Sequence, residues 1–354
     1  MTMIPEHQWV DDARQWQEMA ASALPTRQWL PFDSEFERTS TFYPNPSLLQ
    51  MILGEQLVLL DVKAIGDLRP QAGVFDRLLC HSGSEDMEIM QLLTGRLPKC
   101  VFDTQVAASL CGFGLHVSYQ NLVRALLDVD LDKAHSRSDW MRRPLSPEQI
   151  RYAIEDVIYL PEMRSLLQEM LHSSGREEWF WFLMDNWKYK AVNDQNIDKT
   201  FVKISRSRRY GIAQQQQLYA LLQWRDEQAR RRNKPRQWIL RNQELDCLIQ
   251  QRPESCDDLL RRCHLNPGLV KHQGVSLLRA LHQASDIDPA QLPLLGQLDE
   301  KQNRHFNAMK KAVQTAAKRL DVPASLFASI QDLKRLAAAG HTLDDLPGWR
   351  FAAL

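Results

Sequence analysis

Up to about residue 160 of this 354-residue chain, short apolar runs alternate with amphipathic stretches, and beyond that point no strand-like run recurs. That order constrains the fold more than any other feature. An α/β layer structure comes first and all-helical domains follow, because a sheet needs helices over its apolar faces. Strands are predicted over 29–33, 48–52, 57–61 and 78–81, the second and third joined as a hairpin through Gly54-Glu55. Helices are predicted over 11–21, 84–93, 104–110, 119–127 and 147–170, the last broken or kinked at Pro161.

Residues 177–189 are dense in aromatics (Trp179, Phe180, Trp181, Phe182, Trp187, Tyr189). They read as a helix packed on the first domain rather than as a platform for stacking bases. Beyond residue 205 the pattern is helical, with turns at Lys234-Pro235, Asn266-Pro267-Gly268, Asp288-Pro289 and Val322-Pro323. The expected organisation is an α/β domain over 1–175, a helical linker over 176–205, and helical domains over 206–288 and 291–354.

The formal net charge is zero, from 44 Lys+Arg against 44 Asp+Glu. Residues 1–200 carry 19 basic and 29 acidic side chains, a net of −10, and residues 201–354 carry 25 and 15, a net of +10. No apolar run approaches the ~20 residues that span a bilayer, and the first residues lack the basic-then-apolar pattern of a secretion signal. A cytoplasmic protein with no membrane partner is expected, with a monomer favoured. The six cysteines form no C-x-x-C pair, which suits reduced thiols rather than zinc or disulfides.

Three segments place carboxylates where a fold can gather them. In Asp33-Ser34-Glu35, the two-residue period of a strand sends both acids to one face, a natural site for a hard cation. In Ser82-Gly83-Ser84-Glu85-Asp86, Ser82 and Glu85 fit a capping box, so that Asp86 falls in the first turn of a helix. In Tyr152–Asp156, the helix announced by Ser146-Pro147-Glu148-Gln149 puts Tyr152 and Asp156 on one face at i and i+4. A fourth group, Asp128, Asp130 and Asp132, opens like a calcium loop. It is set aside because Lys133 holds the sixth position and Asp139 the twelfth.

Together, D-S-E at 33–35, Asp86 and Y-x-x-x-D at 152–156 resemble the DEDD exonuclease superfamily in its tyrosine branch; the other branch carries histidine five residues before the last aspartate, where Arg151 stands here. The flanking F-D-S-E-F-E-R-T-S-T-F-Y-P (32–44), H-S-G-S-E-D-M-E (81–88), F-D-T-Q (102–105) and L-D-K-A-H-S-R-S-D-W (131–140) are similar to the bacterial ribonuclease D family. Ser34 stands where that family most often has threonine, and Glu37 where it has an apolar residue. The resemblance implies an RNase H-like α/β fold and a metal-dependent 3′–5′ exoribonuclease that releases nucleoside 5′-monophosphates from tRNA precursors. It further implies two Mg²⁺ or Mn²⁺ ions per site. Asp33 would serve both, Glu35 and Asp156 the ion on the side of the nucleophile, Asp86 the other, and Tyr152 would orient the attacking water.

In the basic half, L-L-Q-W-R-D-E-Q-A-R-R-R-N-K-P (221–235), L-R-N-Q-E-L-D-C-L-I-Q-Q-R-P (240–253) and V-K-H-Q-G-V-S-L-L-R-A-L (270–281) resemble an HRDC domain; 291–354 resembles a second, diverged copy. Arg208, Arg209, Arg231, Arg232 and Lys234, with Arg137 from the first domain, are the expected RNA contacts, giving salt-sensitive affinity without sequence preference. Two other readings remain: a DNA 3′–5′ exonuclease with the same four carboxylates, or a non-catalytic RNA-binding scaffold.

Overall fold

The computed structural model describes residues 5–23, 28–131, 138–193, 197–289, 292–293 and 298–346. Their packing divides them into two compact units. Described residues of 1–37, 44–194 and 298–354 form unit 1, and those of 38–43 and 195–297 form unit 2.

Unit 1 is built on a mixed six-stranded sheet in the order β1-β4-β3-β2-β5-β6. The strands are β1 (Gln8–Val10), β2 (Leu30–Glu37), β3 (Asn45–Leu53), β4 (Gln56–Asp61), β5 (Arg77–Cys80) and β6 (Cys100–Asp103). β2, β3 and β4 are antiparallel neighbours, while β1 joins β4, and β5 and β6 join β2, in parallel. The expected hairpin is present, with Gly54 at φ +65°, a backbone state that glycine adopts without steric cost. β1 and β6 have only three and four residues, too few for a period to stand out. β2 runs four residues beyond its expected end, because β3 pairs with it as far as Glu37 opposite Asn45.

The helices of this unit are α1 (Ala13–Ala23), α2 (Val62–Ile65), α3 (Ser84–Thr94), α4 (Thr104–Leu110), α5 (Tyr119–Leu127), α6 (Pro147–Ile158), α7 (Leu160–Ser173) and α8 (Glu177–Asn193). The break foreseen near Pro161 separates α6 from α7, with the proline in the first turn of α7, where its missing N–H costs nothing. α6 begins with the expected capping box, Ser146 with Gln149, and with Pro147 in its first turn. The aromatic segment is core: Phe180 is fully buried against Phe102, with ring centroids 4.5 Å apart, and Trp181 stacks on Trp29 at 6.1 Å.

Unit 2 contains α9 (Ile197–Arg208), α10 (Ile212–Arg232), α11 (Arg236–Ile239), α12 (Asn242–Gln251), α13 (Cys256–Arg261) and α14 (Pro267–His282). They close over a separate core that includes Phe201, Leu218, Leu221, Leu245, Leu248 and Leu259. The connection between β2 and β3 belongs to this unit: Asn233 Oδ1 accepts from the backbone N–H of both Phe42 and Tyr43 at 3.0 Å, and Arg230 and Arg236 lie over the Phe42 ring at 4.8 and 4.6 Å.

The segment expected as a further helical domain over 291–354 packs differently from that expectation. Its helices, α15 (Glu300–Leu320) and α16 (Ile330–Ala339), place Met309, Val313, Ala317, Phe327 and Leu333 in the same core as the sheet of unit 1. Arg176, just ahead of α8, donates to the carbonyl of Leu320 at 2.5 Å and to that of Leu110. The physical reason is the apolar stripe of α15, which a two-helix segment cannot bury by itself. Among the described residues, no helix is long and apolar enough to cross a membrane.

Candidate active site

β5 pairs with β2 only at Leu30 and Pro31, so the second half of β2, from Asp33 onward, extends past β5. Asp33 and Glu35 alternate along that half and stand half-buried. α6 packs on β2 and β3 and brings Asp156 to them: oxygens of Asp33, Glu35 and Asp156 all lie within 4.8 Å of one another. Tyr152, one turn earlier on α6, gives its hydroxyl to Asp156, and its ring lies 5.9 Å from that of Trp140.

Asp86 reaches the cluster from α3. It is 6% exposed and accepts a hydrogen bond from Ser34 Oγ, whose residue lies between the two acids of β2. The expected capping box at Ser82 and Glu85 does not form. Ser82 is in the left-handed region at φ +57°, and Gly83 is the N-cap without a side-chain hydrogen bond. Asp103, at the end of β6, supplies what Ser82 does not. Its carboxylate accepts from the N–H of Ser82 and Gly83 at 3.0 Å, and from Gln105 and Val106 at the start of α4. Glycine is required at 83, since a Cβ there would meet Cys80 Sγ at 2.5 Å and Asp86 Oδ2 at 3.1 Å. His81 bonds Thr104 and the carbonyl of Val117 at 2.9 and 3.0 Å, which fixes the same turn from its other side.

Among the described residues, none of the four carboxylates has an ion-pair partner, and their acidity reflects it. Burial, then the charge of Asp156, raises Asp33 well above the usual carboxylate range. Glu35 is pushed up to about 10 by burial and then by Asp33, Asp156 and Asp86. Asp86 is raised by burial and by Asp33, and Asp156 is raised to about 7, mainly by burial. Burial and the neighbouring Asp156 also raise Tyr152, so its phenol stays protonated. Four crowded acids, each made harder to ionise by burial and by neighbouring acids, are a site short of positive charge. The all-oxygen donor set, with no sulfur or imidazole, fits Mg²⁺ or Mn²⁺.

Several of the basic residues expected to meet RNA have partners within the chain. Arg208 pairs with Asp246 at 3.2 Å, Arg231 faces Glu227 at 3.8 Å, and Lys234 lies 5.6 Å from the Trp238 ring centre. Arg209 and Arg232 are exposed, while Arg137 lies outside the described residues. Arg230 and Arg236, in the same run, are taken up by Asp226 at 2.7 and 2.5 Å. Sequence reading also passed over Gln50. This fully buried glutamine donates from Nε2 to Asp33 Oδ2 at 2.5 Å, and its signal was a polar residue inside the apolar run L-L-Q-M-I.

Residues 7–172 match a family model described as 3′–5′ exonuclease, and residues 214–281 match that of the HRDC domain. Ribonuclease D of Pseudomonas paraeruginosa is 31% identical, over 98% of this chain and 95% of the relative. The chain belongs to the ribonuclease D family. Ribonuclease D of Gluconacetobacter diazotrophicus is 33% identical over 92% of this chain and 86% of its own length. The crystal structure of Escherichia coli RNase D, described as an exoribonuclease involved in structured RNA processing, superposes with a TM-score of 0.83 at 25% identity, covering 99% of this chain and 96% of that one. As a member of the ribonuclease D family, the chain is a hydrolytic 3′–5′ exoribonuclease with an α/β exonuclease domain followed by an HRDC domain.

Proposed function

We propose that the carboxylate cluster is the reaction centre of a metal-dependent enzyme that trims the 3′ ends of tRNA precursors, releasing nucleoside 5′-monophosphates. The observation that carries this reading is the convergence of Asp33, Glu35 and Asp156 within 4.8 Å, with no basic side chain paired to them among the described residues. Two divalent ions, Mg²⁺ or Mn²⁺, would be held by these carboxylates and would supply the Lewis acidity that phosphodiester hydrolysis needs.

On this reading Asp33 would serve both ions, Glu35 and Asp156 would hold the one beside the nucleophile, and Asp86 would support the other. Tyr152 stays protonated, so it orients the attacking water by hydrogen bonding instead of deprotonating it. Asp103, His81 and Gly83 fix the turn from which Asp86 projects. Arg208, Arg209, Arg231, Arg232 and Lys234 in unit 2, with Arg137, hold the body of the RNA through its phosphates. The six free cysteines suit a reducing compartment, and we assign the enzyme to the cytoplasm as a monomer.

The test is a 3′-tailed tRNA incubated with Mg²⁺ or Mn²⁺ and either wild type or Asp156→Asn. Wild type is expected to shorten the tail and the variant to leave it intact; equal shortening by both would overturn the assignment.

A further inference from the structure

Gln50 stands directly across from Asp33 in the antiparallel ladder of β2 and β3, with no solvent exposure, between Leu49 and Met51, which are equally buried. A glutamine in such a run must be compensated for the water it loses. Only half of this one is. Nε2 donates to Asp33 Oδ2 at 2.5 Å, while Oε1 is buried with no hydrogen-bond partner among the described residues. An apolar side chain of similar volume would remove the orphaned Oε1 but would also take from Asp33 Oδ2 its amide donor, so the contribution of the glutamine lies at that carboxylate.

What an amide gives and a hydrocarbon does not is a donor without charge. Arginine or lysine at this position would pair with Asp33 and neutralise it, removing the charge a cation needs. A neutral N–H fixes one oxygen of the carboxylate and leaves both its charge and its remaining lone pairs free. Ser34 treats Asp86 in the same way, through a hydroxyl. Three of the four acids are thus held by neutral donors, the third being Asp156 through the Tyr152 hydroxyl.

We propose that Gln50 is a positioning residue for metal binding. It locks the Asp33 carboxylate in the orientation a divalent cation requires while keeping that carboxylate available. The inference rests on the reading of the cluster as a metal site. Outer partners of metal-binding side chains typically contribute roughly 10–100-fold in affinity, and that is the size of effect expected here.

The experiment is calorimetric titration of Mn²⁺ into the full chain, comparing wild type, Gln50→Met, Asp33→Asn and the double variant. Gln50→Met is expected to bind Mn²⁺ roughly 10–100-fold more weakly than wild type. In the Asp33→Asn background the same substitution is expected to change affinity by less than about twofold, because the carboxylate it orients is gone. Wild-type affinity in Gln50→Met would overturn the proposal, as would an undiminished loss in the Asp33→Asn background. Should Gln50→Met not fold, Gln50→Asn, which keeps the amide one methylene short of Asp33, decides by the same measure. A wild type that binds no Mn²⁺ would overturn the metal reading itself, and this inference with it.

Discussion

Asp86 in unit 1 and Asp226 in unit 2 are almost equally buried, at 6% and 4% exposure, but they are held by different chemistry. Asp226 lies between the guanidinium groups of Arg230 and Arg236, which also cover the Phe42 ring. Asp86 has a serine hydroxyl and, nearby, the charge of Asp33. One acid is neutralised by its own chain and the other is not. The first arrangement has its charges balanced without a ligand. The second holds a fold together against repulsion and has an affinity still to be satisfied.

The sharpest way to break this comparison is to remove an acid from each side. Asp226→Ala leaves two half-buried guanidinium groups without their partner, and since breaking a fully buried pair costs about 3–5 kcal/mol, a smaller but clear loss is expected here. Unit 2 is expected to unfold at a markedly lower denaturant concentration in an equilibrium titration. Asp156→Asn removes charge from an overcharged cluster, so the metal-free melting temperature should hold or rise. Turnover should fall by more than about 100-fold, beyond the range seen for outer-shell residues, as measured on a 3′-tailed RNA.

Cations and protons provide the next test. A carboxylate raised in the folded state binds more protons folded than unfolded. The stabilisation is complete below the ordinary carboxylate range, near pH 4, and is lost as pH rises through about 7 for Asp156 and about 10 for Glu35. The metal-free protein should therefore melt lower at pH 8 than at pH 6. Mn²⁺ at a hundred times its Kd adds about 2.7 kcal/mol, which for a unit of this size raises the melting temperature by roughly 5–10 °C. At a fixed Mn²⁺ concentration the gain should be larger at pH 8 than at pH 6, and differential scanning fluorimetry at both values would detect a reversed order.

Smaller effects sharpen the same contrast. Tyr152→Phe keeps the ring beside Trp140 and loses the hydroxyl given to Asp156; kcat should drop roughly 10–100-fold with KM nearly unchanged. Arg232→Ala, on the exposed surface of unit 2, should weaken RNA binding by a few-fold and reduce the salt slope by about one, without altering kcat.

The acids themselves were legible from sequence because their placement follows local rules: strand alternation for Asp33 and Glu35, helical i, i+4 spacing for Tyr152 and Asp156. What orients them was not. Gln50 meets Asp33 through strand pairing, and Asp103 supports the Asp86 turn from a different strand, so neither relation leaves a trace in nearby residues. The capping box read at Ser82 failed for the same reason, since a partner distant in sequence took over its task. Within the basic run at 230–236, Arg231, Arg232 and Lys234 were the expected RNA contacts, and Arg230 and Arg236 beside them are bound internally by Asp226, which spacing along the chain does not show. The α/β-then-helical order was readable because periodicity is a local property. Which body the last helices join depends on packing alone.

That packing has a consequence for how the molecule is made. The core of unit 1 draws on residues before 194 and again on Met309, Val313, Phe327 and Leu333, with all of unit 2's helices emerging from the ribosome in between. Synthesis proceeds from the N-terminus, so the sheet bearing the acids waits, with part of its apolar surface uncovered, for α15 and α16 to arrive. The half of the enzyme that is translated first is the half that is completed last.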